Sequence, residues 1–363
     1  MKIREFTIKN FRCFSDFEIK NFSNINLISG INNVGKTSFL ESLFVHAGKY
    51  NPRLLLSINA FRGINAFEIS SRGEHLPWDN VYFNLDPSKT IELTSVDSNN
   101  NKHTNFISNI QDTEMNNLIK RFPDLSKVSK ESISKYQIQT PPTFPGISFQ
   151  YMKNNNLRES YYLIFDDNEF TQYPYPKSSK EPVYFQFYGA PDESQKLFSN
   201  LEEVKKEQFI IDALKIFDNR IMNIHNRIIG KEVLLYVDIG LEKTFPIHLM
   251  GKGIHNALLI LLKIANSPKG IALIDEVENG IHFSILEKFW KVINEFSKEF
   301  NTQIFATTHS YECISAAQKA FIKSVNDREF SYFRFDKVDN NIISTRYNIE
   351  TLTNALDLEF EVR

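Results

Sequence analysis

Hydrophobic and polar positions change period twice along the chain. From Lys2 they alternate with charged residues, which predicts half-buried strands over 3–9 and 16–20. Asn10-Phe11-Arg12-Cys13-Phe14 forms the bend between them, and a fully apolar strand follows over 25–29. A helix is predicted over 38–44. Beyond Tyr50 short apolar segments such as 90–96 and 161–165 are punctuated by Asn, Ser and Pro clusters at 97–105 and 140–145, the mark of a region built mostly from strands and loops. Residues 173–180 read as an exposed connector and the aromatic run 183–188 as a buried strand. From Asp192 the period lengthens. Leu197, Leu201, Val204, Ile210, Leu214, Phe217, Ile221, Ile224 and Ile228 recur three or four apart, predicting an amphipathic helical lobe broken near Asp218-Asn219. A β-branched strand over 233–239, a helix over 254–265 and apolar strands over 271–274 and 302–306 complete the reading. Strands that precede helices in this way predict an α/β fold, and no heptad run is long enough for an extended coiled coil.

The junction of the third strand with its helix carries chemistry. Gly30-Ile31-Asn32-Asn33-Val34-Gly35-Lys36-Thr37 meets every fixed position of G-x-x-x-x-G-K-[ST], in the order strand, glycine loop, helix. Glycines let successive N–H groups turn inward around an anion, and the helix start at Thr37-Ser38 adds its partial positive charge. Asn32, Asn33, Gly35, Lys36, Thr37 and Ser38 are therefore the candidate phosphate contacts. Lys36 is expected at the β- and γ-phosphates, and the Thr37 hydroxyl on Mg²⁺.

A second half-site lies far downstream. Ile271-Ala272-Leu273-Ile274-Asp275-Glu276 runs four aliphatic residues into two carboxylates, as a central parallel strand does when its C-terminal end opens on a crevice. Asp275 is placed to hold Mg²⁺ and Glu276 to orient or deprotonate water. The 302–306 strand ends in Thr307-Thr308-His309-Ser310. In a doubly wound sheet that strand adjoins the acidic or the phosphate-loop strand, so His309 is expected to face the γ-phosphate.

Taken together these motifs resemble the ABC-type ATPases of the SMC/RecF/OLD branch, and within it the AAA15 family. The resemblance rests on Ile8-Lys9-Asn10-Phe11-Arg12-Cys13-Phe14, the phosphate loop, Tyr236 to Glu242, Leu249-Met250-Gly251-Lys252-Gly253, Ile274 to His282 and Ala306 to Ile314. It implies an ABC-type P-loop ATPase head with a mixed sheet and a β-rich and helical insertion, using ATP and Mg²⁺. It also implies that Arg12 and Asn32 contact phosphates, and that Gly251, Lys252 and Gly253 reach the γ-phosphate of a second protomer. Residues 279–282 would be where protomers meet. Lys252 stands where the family often has an acidic residue, and Gln186 is a candidate for its glutamine loop. The implied domains are 1–50 and 231–363 as the two halves of the ATPase core, with 51–230 as the insertion.

Composition narrows the partners only a little. With 42 Lys+Arg against 44 Asp+Glu the net charge is -2, so no overall basic surface marks a nucleic-acid binder. Cys13 and Cys313 offer no metal-ligand or disulfide spacing, which suits a reducing cytoplasm. No apolar run spans a bilayer. The acids after residue 349 read as a solvated end rather than a nuclease domain, so the expectation is an ATP-hydrolysing sensor or scaffold. It would pair through ATP as a homodimer, with larger assemblies open, and act with a separately encoded nuclease or toxin-like effector, as in PARIS-type anti-phage systems. DNA and a phage protein are left open as further partners. A RecF-like ATPase of DNA repair or DNA ends remains the alternative reading.

Overall fold

The computed structural model describes residues 2–49, 51–64, 76–122, 146–166, 169–174, 183–186, 193–322, 329–339 and 341–363. They divide into two units. The first comprises residues 1–4, 20–40 and 181–363, and the second residues 5–19 and 41–180.

The first unit is built on a six-stranded sheet in the order Asn341–Tyr347, Phe330–Val338, Ile25–Gly30, Gln303–Thr307, Ile271–Ile274, Val183–Gln186. All neighbours are parallel except the first pair. Burial on both faces explains why Ile25–Gly30, Ile271–Ile274 and Gln303–Thr307 read as continuous apolar runs: every residue of the three is buried. The register sets the chemistry. Ile28 pairs with Thr307, and Ile274 pairs with Ala306 on one side and Gln186 on the other. The phosphate loop, Asp275 and the residues after Thr307 therefore leave the sheet at the same C-terminal edge, the expected position of a ligand crevice.

Several buried polar groups of this unit are paired across the sheet. Gln303 accepts the Ile3 N–H at 2.7 Å and donates to the carbonyls of Ile3 and Ser23 at 2.8 and 2.9 Å, tying both residues to the central sheet. An aromatic cluster seats the helix Lys36–Ala47, with Phe22 edge-on to Phe305 at 4.9 Å and Phe39 edge-on to Phe335 at 5.4 Å. The helices Lys252–Ala265, Phe283–Glu299 and Tyr311–Phe321 share one core with the strands, through Leu258, Leu261, Phe289, Ile293 and Ile314.

Helices Ser194–Glu203 and Glu207–Leu214 pack into this same core through Leu197, Phe198, Leu201, Ile210 and Leu214. The division at residue 230 thus differs from the division in the structure, where chain from 181 onward belongs with the six-stranded sheet. The helical reading of Ile221, Ile224 and Ile228 is corrected as well. Asn223–Ile229 is a strand, antiparallel to Glu232–Asp238 and turned at Gly230 with φ +64°. Its cross-strand pairing outweighs the three-to-four spacing, with Ile224 buried and Ile228 75% exposed.

The second unit holds a seven-stranded sheet in the order Phe14–Lys20, Ile3–Phe11, Ile91–Asp97, Lys102–Asn109, Gly146–Lys153, Asn156–Asp166, Glu169–Tyr173. Consecutive strands from Ile91–Asp97 onward are antiparallel, as short alternating segments between turns predict. The expected loop at 140–145 and the connector beyond Pro174 lie outside the described residues, as does the end of the 183–188 strand after Gln186. Among the described residues no helix is long and apolar enough to cross a membrane.

Candidate active site

The phosphate loop begins where the sheet lets it turn. Gly30 has φ +142°, and a Cβ there would stand 2.4 Å from the Phe335 carbonyl oxygen of the neighbouring strand. Any side chain is therefore barred twice, by conformation and by space. Val34 is buried beneath the loop, whereas Ile31, Asn32 and Asn33 are exposed, so the loop rests on one apolar contact and turns its polar residues outward. Phe39 N–H donates to the Gly35 carbonyl at 2.8 Å, starting the helix directly behind Lys36.

Lys36 is 5% exposed, and its Nζ donates to the carbonyls of Gly30 at 2.7 Å and Ile31 at 3.0 Å. Burial pushes its ammonium down to about 8, while Asp275, Glu276 and Glu278 act in the opposite sense. A buried cation held only by neutral carbonyls suits an incoming polyanion, which restores full charge compensation. This has a pH consequence. Free Lys36 loses its proton as pH rises through about 8, so above that value triphosphate binding must take up a proton. ATP affinity should be flat from pH 6.5 to 7.5 and then fall by about tenfold per pH unit above about 8, as that linkage requires. Calorimetry in buffers of different ionisation enthalpy should register proton uptake at pH 9 and none at pH 7, while an affinity constant up to pH 9.5 would contradict the assignment.

The two half-sites meet directly. Thr37 Oγ1 donates to Asp275 Oδ2 at 2.9 Å, across 238 positions of sequence. Asp275 Oδ1 accepts from Thr307 Oγ1 at 2.5 Å, and the same Thr307 oxygen accepts the Glu276 N–H at 2.9 Å. One threonine hydroxyl thus orients the first carboxylate and pins the backbone of the second, whose residue has φ +50°. The Glu276 side chain is exposed at the crevice. A hydroxyl beside a carboxylate is a hard-oxygen pair, and it fits Mg²⁺, which keeps several waters and takes further ligands from substrate phosphates. Among the described residues no three His, Cys, Asp or Glu converge as a metal cage of their own.

His309 lies at the expected strand end with its side chain exposed, and its N–H donates to Glu278 Oε1 at 3.0 Å. Burial raises the Glu278 carboxyl above the usual carboxylate range, partly offset by that N–H. Gln186 closes the strand beside Ile271–Ile274, one register position before Asp275. Arg12 belongs to the second unit. There it pairs with buried Glu41 at 3.2 Å and donates to Asn59 Oδ1 and the Asn80 carbonyl at 3.1 and 3.2 Å, while Arg62 grips the same Glu41 at 2.6 and 3.0 Å.

The glycines of the Gly251-Lys252-Gly253 segment differ from each other. Gly251 caps the helix Lys252–Ala265 and borders open space. A Cβ on Gly253 would lie 2.4 Å from the Gly280 carbonyl oxygen, and Asn256 Nδ2 donates to the Asn279 carbonyl at 2.8 Å. Within one chain this segment therefore rests on the loop that follows Glu276, and the space a side chain at residue 253 would need is taken by Gly280 of the same chain. Spacing does not show this contact, nor the Thr307 bridge.

A glycine loop at a parallel-sheet edge, facing an acidic strand end through Thr37 and Asp275, defines a P-loop ATPase, and the chain is a nucleotide-binding and nucleotide-hydrolysing enzyme of that class. It belongs to the family described as "AAA domain, putative AbiEii toxin, Type IV TA system", which matches residues 25–315. An "ATP/GTP phosphatase" of Helicobacter pylori is similar over nearly its whole length, 26% identical over 374 aligned positions and covering 96% of each chain. Similar solved structures include the SMC head domain from Thermotoga maritima, at 12% identity and TM-score 0.42 over 96% of this chain and 100% of that one. Another is the Smc head domain with an extended coiled coil derived from Pyrococcus furiosus, at 12% identity and TM-score 0.47 over 99% of each chain.

Proposed function

We propose that the protein is a cytoplasmic Mg²⁺-dependent ATPase whose nucleotide state reports to a separately encoded effector, in defence against phage. The Thr37–Asp275 contact at 2.9 Å carries the chemical half of this reading, because it builds a metal-ready pair out of two distant motifs. In this reading Lys36 and the loop amides of Asn32, Asn33, Gly35 and Ser38 hold the triphosphate. Thr37 and Asp275 hold Mg²⁺, which when bound supplies charge neutralisation at the β- and γ-phosphates. Glu276 takes the proton of the attacking water, and His309 stands beside the γ-phosphate. The description of the Helicobacter relative supports a nucleoside triphosphate as substrate and leaves GTP beside ATP. The family description names a toxin of a toxin–antitoxin system, which is in keeping with a second encoded component.

Lys36, Asp275 and Glu276 address the nucleotide from one side, and Gly251 and Lys252 present an exposed helix start on the same unit. We infer that two copies close on two nucleotides, each offering 251–253 to the other's γ-phosphate, and that hydrolysis reopens them. The seven-stranded unit is then the surface left to meet effector, DNA or phage protein. Light scattering should show the mass doubling with ATP and Mg²⁺ and returning to one copy with EDTA. A single copy at every ATP concentration would sink the two-copy mechanism and leave the one-sided site.

A further inference from the structure

The strand that carries the phosphate loop is fastened one residue before the loop begins. Ser29 and Tyr332 are fully buried, and their hydroxyls share a hydrogen bond. Both converge on the main-chain carbonyl of Val362: Tyr332 donates to it, and Ser29 Oγ, 3.3 Å from the same oxygen, donates to the Tyr332 hydroxyl. Residues 358–363 alternate apolar and charged, yet only Val362 is inserted, at 1% exposure against 66% for Leu358 and 60% for Phe360. Arg334 adds a second tether, its Nη1 donating to the Glu361 carbonyl at 2.6 Å while its other nitrogens pair with Asp336 at 2.9 to 3.0 Å.

From this anchor the path into the site is short. Ser29 and Gly30 lie in register with Arg334 and Phe335, the close approach at Gly30 fixes its carbonyl, and that carbonyl receives Lys36 Nζ at 2.7 Å. With the segment in place Tyr332 and Ser29 are closed to water, so the Val362 carbonyl is the partner their hydroxyls depend on, and withdrawing it frees strand and loop to shift toward other partners. Burial also raises the Tyr332 phenol well above its ordinary range, which keeps it a donor.

We propose that residues 361–363, through Val362, Tyr332 and Ser29, form a positioning strap for the phosphate loop, setting its affinity for the triphosphate rather than the rate of hydrolysis. The strap rests on the phosphate loop being the nucleotide site. A purely structural role predicts a different result, because losing folded protein lowers apparent kcat and leaves KM alone, whereas a displaced loop raises KM.

The test is steady-state hydrolysis by the full chain, with binding of a fluorescent ATP analogue measured in parallel. Tyr332→Phe should raise KM and the analogue's Kd about fivefold, the scale of one buried hydrogen bond, with kcat within about twofold. Val362→Asp should raise both about tenfold, Val362→Ile should match wild type, and the double variant should be no worse than Val362→Asp because both changes cut one tether. KM within about twofold of wild type in Tyr332→Phe and Ser29→Ala, or a fall in kcat with KM unchanged, overturns the strap. Lys36→Ala separates the two readings. If it loses analogue binding while the strap variants keep wild-type affinity, the strap alone fails, and if wild type binds no analogue, the nucleotide site fails and the strap with it.

Discussion

Glu276→Gln is expected to hold ATP without turning it over. The replacement keeps the shape of the side chain while removing its charge and its capacity to take a proton, and every hydrogen bond that supports ground-state binding is kept. Lys36 remains on its two carbonyls, Thr37 remains on Asp275, and the backbone of residue 276 remains pinned by Thr307 at 2.9 Å. Loss of a general base costs roughly 10²-fold or more in the hydrolytic step, while an interaction absent from the ground state leaves affinity alone. Phosphate release should therefore collapse while filter-retained ATP stays at the wild-type level or above. Glu278 is the control, because it lies two residues away, is more deeply buried, and spends Oε1 on the His309 N–H at 3.0 Å. Should Glu276→Gln turn over at the wild-type rate and Glu278→Gln stop, the base is the second acid and not the first.

The contrast between these two glutamates shows what a linear pattern can carry. The phosphate loop was legible because its eight residues are contiguous and each fixed position answers a local demand for a turn, a cation or a hydroxyl. Asp275, Glu276 and His309 were legible because each ends an apolar run, and an apolar run buried on both faces stops where the sheet meets the crevice. Neither argument reaches Thr307, whose hydroxyl bridges Asp275 and Glu276. It is one threonine in Thr307-Thr308, and only the register between Ile271–Ile274 and Gln303–Thr307 selects it. The Ser29, Tyr332 and Val362 cluster is further from reach, since its members stand 303 and 30 residues apart and share no spacing. Ile221, Ile224 and Ile228 misled for the opposite reason. Their spacing fits a helix, but Asn223–Ile229 finds a partner strand across a two-residue turn, and seven cross-strand pairs outweigh a periodicity of three residues. Gly253 was legible as a small residue at a helix start, but the direction from which something approaches it was not.

That direction decides how the two-copy mechanism has to be tested. A signature glycine is the obvious target, yet a side chain at Gly253 would meet the Gly280 carbonyl oxygen of the same chain at 2.4 Å and so disturb the loop after Glu276 in its own copy. A Gly253→Asp protein would lose turnover whether or not a partner exists. Lys252 is exposed at the first turn of the helix Lys252–Ala265 with its Cγ beside Gly280, and Lys252→Glu keeps that Cγ while reversing the charge beyond it. If 251–253 faces the partner's triphosphate, Lys252→Glu should bind ATP normally and lose most hydrolysis, because a carboxylate then opposes the charge that must be stabilised across the interface. Lys36→Ala should lose binding and hydrolysis together, since it removes the buried ammonium from the loop. Each variant damages a different half of a composite site. In a random two-fold mixture about half of the pairs are mixed and each mixed pair holds one intact site, so about a quarter of wild-type activity should return from two nearly inactive proteins. Lys252→Glu that hydrolyses at the wild-type rate, or a mixture no better than its components, would mean that each copy completes its own site and that hydrolysis proceeds without a second chain.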